Sequence, residues 1–242
     1  MIETENKWPD QGLMTAFELL KPMAIKDPVL LDVGAHRGES LKSFSDNWTG
    51  GFKYIGLEPN PEAFRDLEQL GKSIQTQERI ITCYPKAAGS KDGSLCYRLT
   101  KESAVAGVLE PIDGLNERVP SGDHNIIKTF EVPTLSLSTV AEKNALKTID
   151  ILKVDTEGYD LEVLKGSLDL LNTRSVRVVL TEVFFVPFRK NQAFFWDIAS
   201  FMQQQGYHFV NLYDTRNTSQ GRLYTGNGLW VSPEVAQTNN FL

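Results

Sequence analysis

The sequence has few of the features that mark secreted or membrane-spanning proteins. Its 242 residues include two cysteines, Cys83 and Cys96, and no apolar run long enough to cross a bilayer. Residues 1–10 are polar and acidic, so they have neither the basic start nor the apolar core of a signal peptide. We therefore expect a cytoplasmic protein whose cysteines are reduced and partly buried.

An excess of positive charge is absent as well. The chain has 25 Lys and Arg against 31 Asp and Glu, which gives a net charge of −6. A nucleic-acid partner needs a basic surface that displaces counterions from phosphates, so we expect none. The length and a hydrophobic content of 41% fit one ordinary α/β domain with a sizeable core.

Apolar runs alternate with helical patterns along the chain. Continuous apolar strands separated by helices indicate a parallel sheet that is covered on both faces. A strand–loop–strand pattern at the end predicts one antiparallel strand near the edge. The predicted strands are 29–33, 53–57, 79–84, 149–154, 176–183, 207–212 and 228–232, with additional strands at 95–99 and 129–134. The predicted helices are 14–23, 39–47, one that opens at Pro61, 137–144 and 192–204.

The domain organisation follows from this alternation. We predict an N-terminal lead-in with a helix over residues 1–28 and a single domain over 29–242. Residues 101–128 contain glycines, prolines and few apolar positions. Long irregular loops in compact domains tend to be functional, so we predict a lid-like loop over the mouth of a site.

The turn that follows the first strand lacks the glycine pattern of a dinucleotide-binding loop. It contains Gly34 and Gly38 but not the middle glycine of Gly-x-Gly-x-x-Gly. Turn glycines let the backbone approach a ligand, although they also occur at ordinary strand–helix joints. Asp32 would repel a pyrophosphate and suits a cationic ligand with an ammonium group. S-adenosylmethionine fits, because it has a ribose, an ammonium and a sulfonium and no phosphate.

The second strand ends in an acid. The two oxygens of Glu58 can accept from both hydroxyls of a ribose, and a solvated strand-end carboxylate is the alternative. Pro59 and Asn60 follow, which stop the strand and start a helix. His36, inside the glycine turn, is as well explained by a solvent-facing loop position as by any role.

Residues 150–166 resemble the "K-x-D-x-E-G-x-E-x-x-V-L-x-G" element of the FkbM-like methyltransferases. The resemblance covers roughly residues 29–232, through Asp-Val-Gly-Ala at 32–35, Glu-Pro-Asn-Pro at 58–61 and Ala-Ala-Gly at 87–89. It implies a class I, Rossmann-like, S-adenosylmethionine-dependent methyltransferase fold with a seven-stranded, mostly parallel sheet and helices on both faces. It also implies O-methylation of sugars or sugar-like secondary metabolites, as in polysaccharide biosynthesis. The cofactor-binding residues expected on this basis are Asp32, Gly34, Ala35, Gly38, Glu58, Pro59, Lys86 and Ala87.

Lys153 is unusual because it lies inside an apolar strand, where an unpaired ammonium is costly. Strand alternation puts Lys153 and Asp155 on one face, where they can pair. A purely structural ion pair is as good an explanation of Lys153 as direct chemistry. Asp155 falls at the carboxyl end of its strand, where ligands bind in open parallel sheets.

Two further carboxylates are expected near Asp155. Glu157 follows in the next turn, and Glu182 ends the neighbouring strand. Helix capping and a solvated rim are the alternative explanation. The functional interpretation is a general base, a divalent-ion site for Mg²⁺, or both. We therefore name Asp155, Glu182 and Lys153 as candidate catalytic residues and Asp155, Glu157 and Glu182 as candidate metal ligands.

Aromatic residues are dense at 184–188 and 194–196. Core packing and a subunit interface in a homo-oligomer explain most of them, and one or two rings could form a wall against a sugar. His124 lies in the lid-like segment; it is either a general base with a pKa near neutrality or a solvated loop residue.

The residues together favour an enzyme that moves the methyl group of S-adenosylmethionine onto a hydroxyl of a small molecule or glycan. Three alternatives stay open. They are a small-molecule N-methyltransferase, a dinucleotide-binding oxidoreductase, and a nucleotide-binding module without catalytic activity.

Overall fold

The computed structural model describes residues 10–118, 123–217 and 220–241. The strands in chain order are β1 (Val29–Val33), β2 (Phe52–Leu57), β3 (Arg79–Tyr84), β4 (Ala87–Ala88), β5 (Gly93–Thr100), β6 (Ile126–Leu135), β7 (Ile149–Val154), β8 (Val176–Phe184), β9 (His208–Asn217) and β10 (Leu223–Val231). The α-helices are α1 (Gln11–Leu20), α2 (Glu39–Asn47), α3 (Pro61–Ile74), α4 (Leu115–Arg118), α5 (Leu137–Lys143), α6 (Asp160–Lys165), α7 (Leu168–Asn172), α8 (Phe195–Gln204) and α9 (Pro233–Thr238). Short 3₁₀ turns lie at Lys21–Met23 and Ser103–Val105.

Seven strands form the main sheet in the order β3-β2-β1-β7-β8-β10-β9. Strand β10 is antiparallel to both of its neighbours, and the other pairings are parallel. This confirms the predicted seven-stranded, mostly parallel sheet. The chain leaves β1 toward β2 on one side and returns to β7 on the other. The strand order therefore reverses between β1 and β7, which is where open α/β sheets bind ligands.

The sheet has a hydrophobic core on each face, because consecutive strand residues point in opposite directions. Leu30 of β1 and Ile151 of β7 pack on the face covered by α1, α2, α3 and α9. Leu31 and Leu152 pack on the other face, against α5 to α8. Because both faces are covered, the central strands are predominantly apolar, which makes them easy to predict from the sequence.

A second, three-stranded sheet has the order β4-β6-β5. It contains the two additional strands predicted at 95–99 and 129–134, each somewhat longer than predicted. Ala87, Tyr97 and Val132 form a small buried cluster in it. The sheet thereby holds β4 and Tyr97 next to the carboxyl end of the main sheet. Cys96 of β5 and Cys83 of β3 are unpaired and half-buried.

Several boundaries differ from the predicted ones. Helix α1 begins at Gln11 rather than at residue 14, because the Asp10 carboxylate caps it by accepting from the Leu13 amide at 2.8 Å. Helix α8 begins at Phe195 rather than at residue 192, because the Gln192 side chain is bonded to the preceding turn. Every helix of the described part of the chain falls short of the length and apolar character needed to cross a bilayer.

The segment predicted as a lid-like loop contains regular structure. It holds the Ser103–Val105 turn, helix α4 and the beginning of β6 at Ile126. Residues 119–122 of this segment lie outside the described residues. Its function as a lid stays a prediction.

Asp150 joins three strands of the main sheet and provides a test of the fold. Its buried carboxylate accepts from the Val29 amide at 2.7 Å and pairs with the Arg177 guanidinium. We expect Asp150→Ala to lower the free energy of unfolding by roughly 2–3 kcal/mol, because a charge-assisted bond is lost and a buried amide is left unsatisfied. Urea denaturation measures this change. Asp169→Ala on the exposed side of α7 is the control, with an expected change within about 0.5 kcal/mol, and equal losses in both variants would contradict the interpretation.

Candidate functional site

A cavity of about 380 Å³ opens at the carboxyl edge of the main sheet, a size within the range of small-ligand sites. Its floor is made by residues at or just beyond the carboxyl ends of β1, β2, β7 and β8. Its roof is residues 103–108, which include the Ser103–Val105 turn; we call this segment the roof. The floor residues are Val33, Gly34, Ala35, His36, Leu57, Glu58, Pro59, Asp155, Thr156, Glu157 and Glu182.

The glycine turn after β1 brings the chain very close to the end of β7. The Gly34 and Ala35 amides donate to the Leu57 carbonyl at 3.0 and 3.1 Å, which ties the turn to β2. Gly34 has a φ of +77°, and a Cβ there would lie 1.8 Å from the Asp155 carbonyl oxygen. No other residue fits at this position, so the turn keeps its backbone at the cavity surface.

Glu58 is held rigidly at the end of β2 with 4% of its surface exposed. One carboxylate oxygen accepts from the His36 amide at 2.8 Å, and the other accepts from the Asn60 amide at 2.7 Å. Each oxygen keeps a lone pair for a further donor. Burial raises the pKa of Glu58 to about 7, while the two amide bonds act in the opposite direction.

His36 links the glycine turn to the roof. Its Nδ1 lies 3.1 Å from a Glu39 oxygen, and its Nε2 lies 3.0 Å from the Ser103 hydroxyl. The hydrogen bond with Glu39 raises the pKa of His36, although burial acts to lower it. His36 is therefore bonded on both sides rather than a free solvent-facing loop residue.

Lys153 lies between the carboxylates of Asp155 and Asp32. Strand alternation predicts its contact with Asp155. Its Nζ is 3.3 Å from Asp155 Oδ2 and 3.8 Å from Asp32 Oδ1. Asp32 is fully buried and accepts from the Tyr54 hydroxyl at 2.8 Å. Burial acts to lower the pKa of Lys153, but Asp155 and Asp32 outweigh it and raise that pKa. The lysine is therefore an ammonium, and its single positive charge lies between the two acids.

Asp155, Glu157 and Glu182 converge as the sequence predicts. One oxygen from each lies within 4.8 Å of the other two. Their surroundings differ, because the Asp155 side chain is 40% exposed, whereas burial raises the pKa of Glu157 to about 7 even though Arg189 opposes it. Burial, with the nearby charges of Glu157 and Asp155, also raises the pKa of Glu182.

Asp160 holds the turn that carries Glu157. Its carboxylate accepts from the Gly158 amide and from the Thr181 hydroxyl, both at 3.1 Å. Burial raises its pKa to about 7. Asp160 lies within the family motif at residues 150–166, but the motif alone did not indicate a role for it. Its position at the start of a short helix, two residues after Gly158, is a signal that could have identified it as a turn-stabilising acid.

The structure divides the expected cofactor-binding residues into two groups. Those that line the cavity are Gly34, Ala35, Glu58, Pro59 and Lys86. Those that do not are Asp32, Gly38 and Ala87. Asp32 is enclosed by Tyr54 and Lys153, Gly38 begins α2, and Ala87 packs into the small sheet.

The aromatic stretch does not provide the rings at the cavity. Phe184 and Phe188 are buried against Leu115, and Phe185 and Phe195 stack on each other in the core beside α8. Among the described residues, the tyrosines that line the cavity are Tyr97 and Tyr159.

Two buried groups lie just behind the cavity surface. His124 is 4% exposed and therefore not a solvated loop residue; its Nδ1 lies 3.1 Å from the Arg189 guanidinium. Neither side chain lines the cavity. Sequence reasoning missed Arg189, and also the cavity-lining Asp10, Ser103 and Arg216, since each reaches the site from a distant segment.

Comparison with known proteins identifies a family. A model described as "Methyltransferase FkbM domain" matches residues 32–209, well over half of the chain. Hexuronic acid methyltransferase AglP from Haloferax volcanii is 25% identical over 175 residues, which cover 72% of this chain and 63% of AglP. Probable dipeptidyl-aminopeptidase B from Tuber melanosporum is 26% identical over 170 residues, which cover 69% of this chain but 18% of that protein. The chain thus spans less than two thirds of the length of either relative.

Among solved structures, methyltransferase FkbM from Methylobacillus flagellatus KT matches with a TM-score of 0.56 at 14% identity. The match covers 85% of this chain and 44% of that one. Likeness at this level of identity shows a shared fold and confirms the predicted fold class.

The charge balance around Lys153 gives a prediction for stability. We expect Lys153→Met to lower the free energy of unfolding by about 3–5 kcal/mol, because Asp32 is left buried beside no cation. Adding Asp32→Asn to this variant should recover part of the loss. Urea denaturation of the single and double variants measures both changes.

Lys165→Met is the matched control, because Lys165 pairs with Glu162 on an exposed helix surface. Its expected effect is below about 1 kcal/mol. A double variant no more stable than Lys153→Met would contradict a role for Lys153 in balancing Asp32.

Proposed function

The chain belongs to the FkbM methyltransferase family, and on that premise we propose that it transfers the methyl group of S-adenosylmethionine to a hydroxyl oxygen of a sugar, glycan or sugar-like metabolite. One observation carries the proposal. A single cavity joins Glu58, a carboxylate suited to two ribose hydroxyls, to the carboxylates of Asp155, Glu157 and Glu182 at the neighbouring strand ends. A donor half and an acceptor half are thereby adjacent.

The residues of the donor half fit S-adenosylmethionine. Gly34, which has no space for a Cβ beside the Asp155 carbonyl, keeps the backbone of the turn at the cavity surface, and the fixed oxygens of Glu58 can each accept from a ribose hydroxyl. Lys86 borders the adenine side. Asp10, which lines the cavity, can take the ammonium group in place of the enclosed Asp32. The donor, when bound, supplies a methyl group already activated by the sulfonium charge.

The acceptor half can align a hydroxyl and remove its proton. The acceptor oxygen forms a bond to the methyl carbon while the carbon–sulfur bond breaks, and its electron pair stays on sulfur. The hydroxyl proton moves to Asp155, which is partly exposed and held by the Lys153 ammonium at 3.3 Å. Burial and the neighbouring acids raise the pKa of Glu182, which favours a hydrogen bond from its carboxyl group to a second oxygen of the acceptor. Alignment by these groups supplies much of the rate.

Two observations support an acidic sugar as acceptor. The relative AglP is described as a hexuronic acid methyltransferase. In addition, Arg216 lines the cavity and forms no side-chain hydrogen bond or ion pair within the described residues, and its charge acts to lower the pKa of Glu157 and of Glu182. An assay with methyl-labelled S-adenosylmethionine against uronic-acid glycans, their neutral counterparts and small amines tests this. Transfer to the amines alone would replace the proposal with an N-methyltransferase.

The donor assignment predicts that Glu58→Ala weakens binding of S-adenosylhomocysteine by roughly tenfold to more than a hundredfold. The reason is that each charge-assisted bond to a hydroxyl is worth about 1.5–3 kcal/mol. Calorimetry measures the affinity, with the exposed Glu62→Ala as control. Wild-type affinity in a folded Glu58→Ala protein would remove Glu58 from the site, and tight binding of NAD would favour an oxidoreductase.

The acceptor assignment predicts that Asp155→Asn lowers turnover by about a hundredfold or more, the usual scale for a proton-transfer group. Asparagine keeps the size and removes the charge, so S-adenosylhomocysteine affinity should change far less. Melting temperature and turnover are measured on the same preparation. A destabilised variant with near-normal turnover would mean that Asp155 is only the structural partner of Lys153.

A divalent cation such as Mg²⁺ is the alternative means of removing the proton. Asp155, Glu157 and Glu182 offer hard oxygen ligands close together, and a bound cation would acidify the hydroxyl. Arg189 already occupies one oxygen of Glu157, which favours the metal-free base. Exhaustive chelation separates the two, because activity that persists leaves the base and activity that returns only with Mg²⁺ requires the metal.

A further inference from the structure

Arg189 is a buried cation that the proposed chemistry does not use. It lies between β8 and α8, is 2% exposed and does not line the cavity. One guanidinium nitrogen donates to Glu157 Oε2 at 2.6 Å and to the Val105 carbonyl at 2.8 Å. The second terminal nitrogen of the guanidinium lies 3.1 Å from His124 Nδ1. Arg189 therefore connects the floor of the acceptor half to the roof above it.

We propose that Arg189 is a positioning residue that holds Glu157 and the roof at a fixed separation and thereby sets the shape of the acceptor half of the cavity. The proposal rests on the proposed function where it refers to an acceptor. The geometric connection itself is independent of which molecule binds.

The backbone around Arg189 gives its side chain a fixed origin. The Gln192 side-chain oxygen accepts from the Phe188 amide at 2.7 Å and from the Arg189 amide at 2.6 Å. The Lys190 amide donates to the Glu110 carbonyl at 2.8 Å, and the Ile112 amide donates to the Phe188 carbonyl at 3.0 Å. The segment that carries Arg189 is thus attached to the chain beyond the roof.

Glu157 needs such support because its backbone is unfavourable. It has a φ of 55°, in the left-handed region that side chains with a Cβ seldom adopt. The next residue, Gly158, packs so closely on Gln192 that a Cβ there would lie 3.0 Å from the Gln192 Cβ. The turn after β7 therefore docks directly on the segment that carries Arg189.

The roof is attached to β5, where Gly107 and Arg98 exchange two backbone hydrogen bonds, and it has two further attachments across the cavity with different partners. On the donor side, Ser103 bonds to His36 of the glycine turn. On the acceptor side, Val105 bonds to Arg189. Loss of Arg189 should therefore loosen the acceptor half while the donor half keeps its own attachment. A guanidinium suits the task, because its planar donors reach several acceptors in a fixed geometry that a lysine cannot reproduce.

The test compares Arg189→Met and Arg189→Lys with the matched control Lys190→Met. Lys190 is the adjacent residue, and it pairs with Glu110 on the surface. Hydrogen exchange of the Val105 and Ala106 amides, which bond to Glu102 and Ser103, reports on the roof, and the Gly34 and Ala35 amides report on the donor half. Calorimetry with S-adenosylhomocysteine measures donor affinity. Steady-state kinetics use the acceptor found in the glycan panel.

In Arg189→Met we expect roof exchange to accelerate about tenfold or more, the scale of one lost charge-assisted bond. Exchange at Gly34 and Ala35 and the affinity for S-adenosylhomocysteine should stay within about twofold of wild type, as the separate attachment at His36 implies. The acceptor KM should rise and kcat should fall together. Arg189→Lys should fall between wild type and Arg189→Met, and Lys190→Met should match wild type.

The proposal is overturned if roof exchange in Arg189→Met equals that in Lys190→Met, or if donor and acceptor affinities fall equally. If Arg189→Met does not fold, Arg189→Met/Glu157→Gln removes the unpaired carboxylate and is tested in its place. If this variant also fails to fold, Arg189→Lys decides, and wild-type roof exchange and kinetics there would overturn the proposal. A wild-type protein without turnover on the panel would refute the proposed acceptors, while the exchange measurements would still decide the role of Arg189.

Discussion

The site depends on one buried ammonium group and the two carboxylates that balance it. Lys153 interrupts an apolar strand in the middle of the sheet, where an unpaired charge would be costly. Asp32 of β1 lies on one side of it and Asp155 after β7 on the other. The contacts of Lys153 with these two carboxylates therefore connect β1 and β7, the strands between which the strand order reverses. They also present Asp155 to the cavity beside a permanent cation.

The cavity above this charge balance is assembled from loops that are attached to one another. The glycine turn is bonded to β2 through Leu57 and Glu58, so the donor half is fixed by backbone amides. The roof crosses from His36 on that side to Arg189 on the other. Residues that are far apart in the chain thus hold a small cavity open without a second domain, and loss of one attachment need not disturb the other half.

Features that depend on a local sequence pattern were predictable from the sequence. Features that depend on a contact with a distant segment of the chain were not. Continuous apolar runs identified the central strands, and alternation identified the pair of Lys153 and Asp155. Alternation assigns a face but not what covers it, so it could not reveal that Tyr54 of the neighbouring strand encloses Asp32. The contact between His124 and Arg189 joins positions 65 residues apart and has no local signal. Helix α8 begins at Phe195 rather than at the predicted residue 192 for a similar reason, since the Gln192 side chain bonds to the preceding turn.

The three acceptor-side carboxylates have the same chemical group but different surroundings, and the surroundings separate their roles. Asp155 is partly exposed and lies beside an ammonium, which suits the proton acceptor of the proposed reaction. Burial and the nearby acids raise the pKa of Glu182, which favours a hydrogen-bond donor there. Glu157 is fixed by Arg189, which also donates to the Val105 carbonyl of the roof. In the proposed reaction the sulfonium methyl is already activated, so orientation and one proton acceptor are what that reaction needs from the protein.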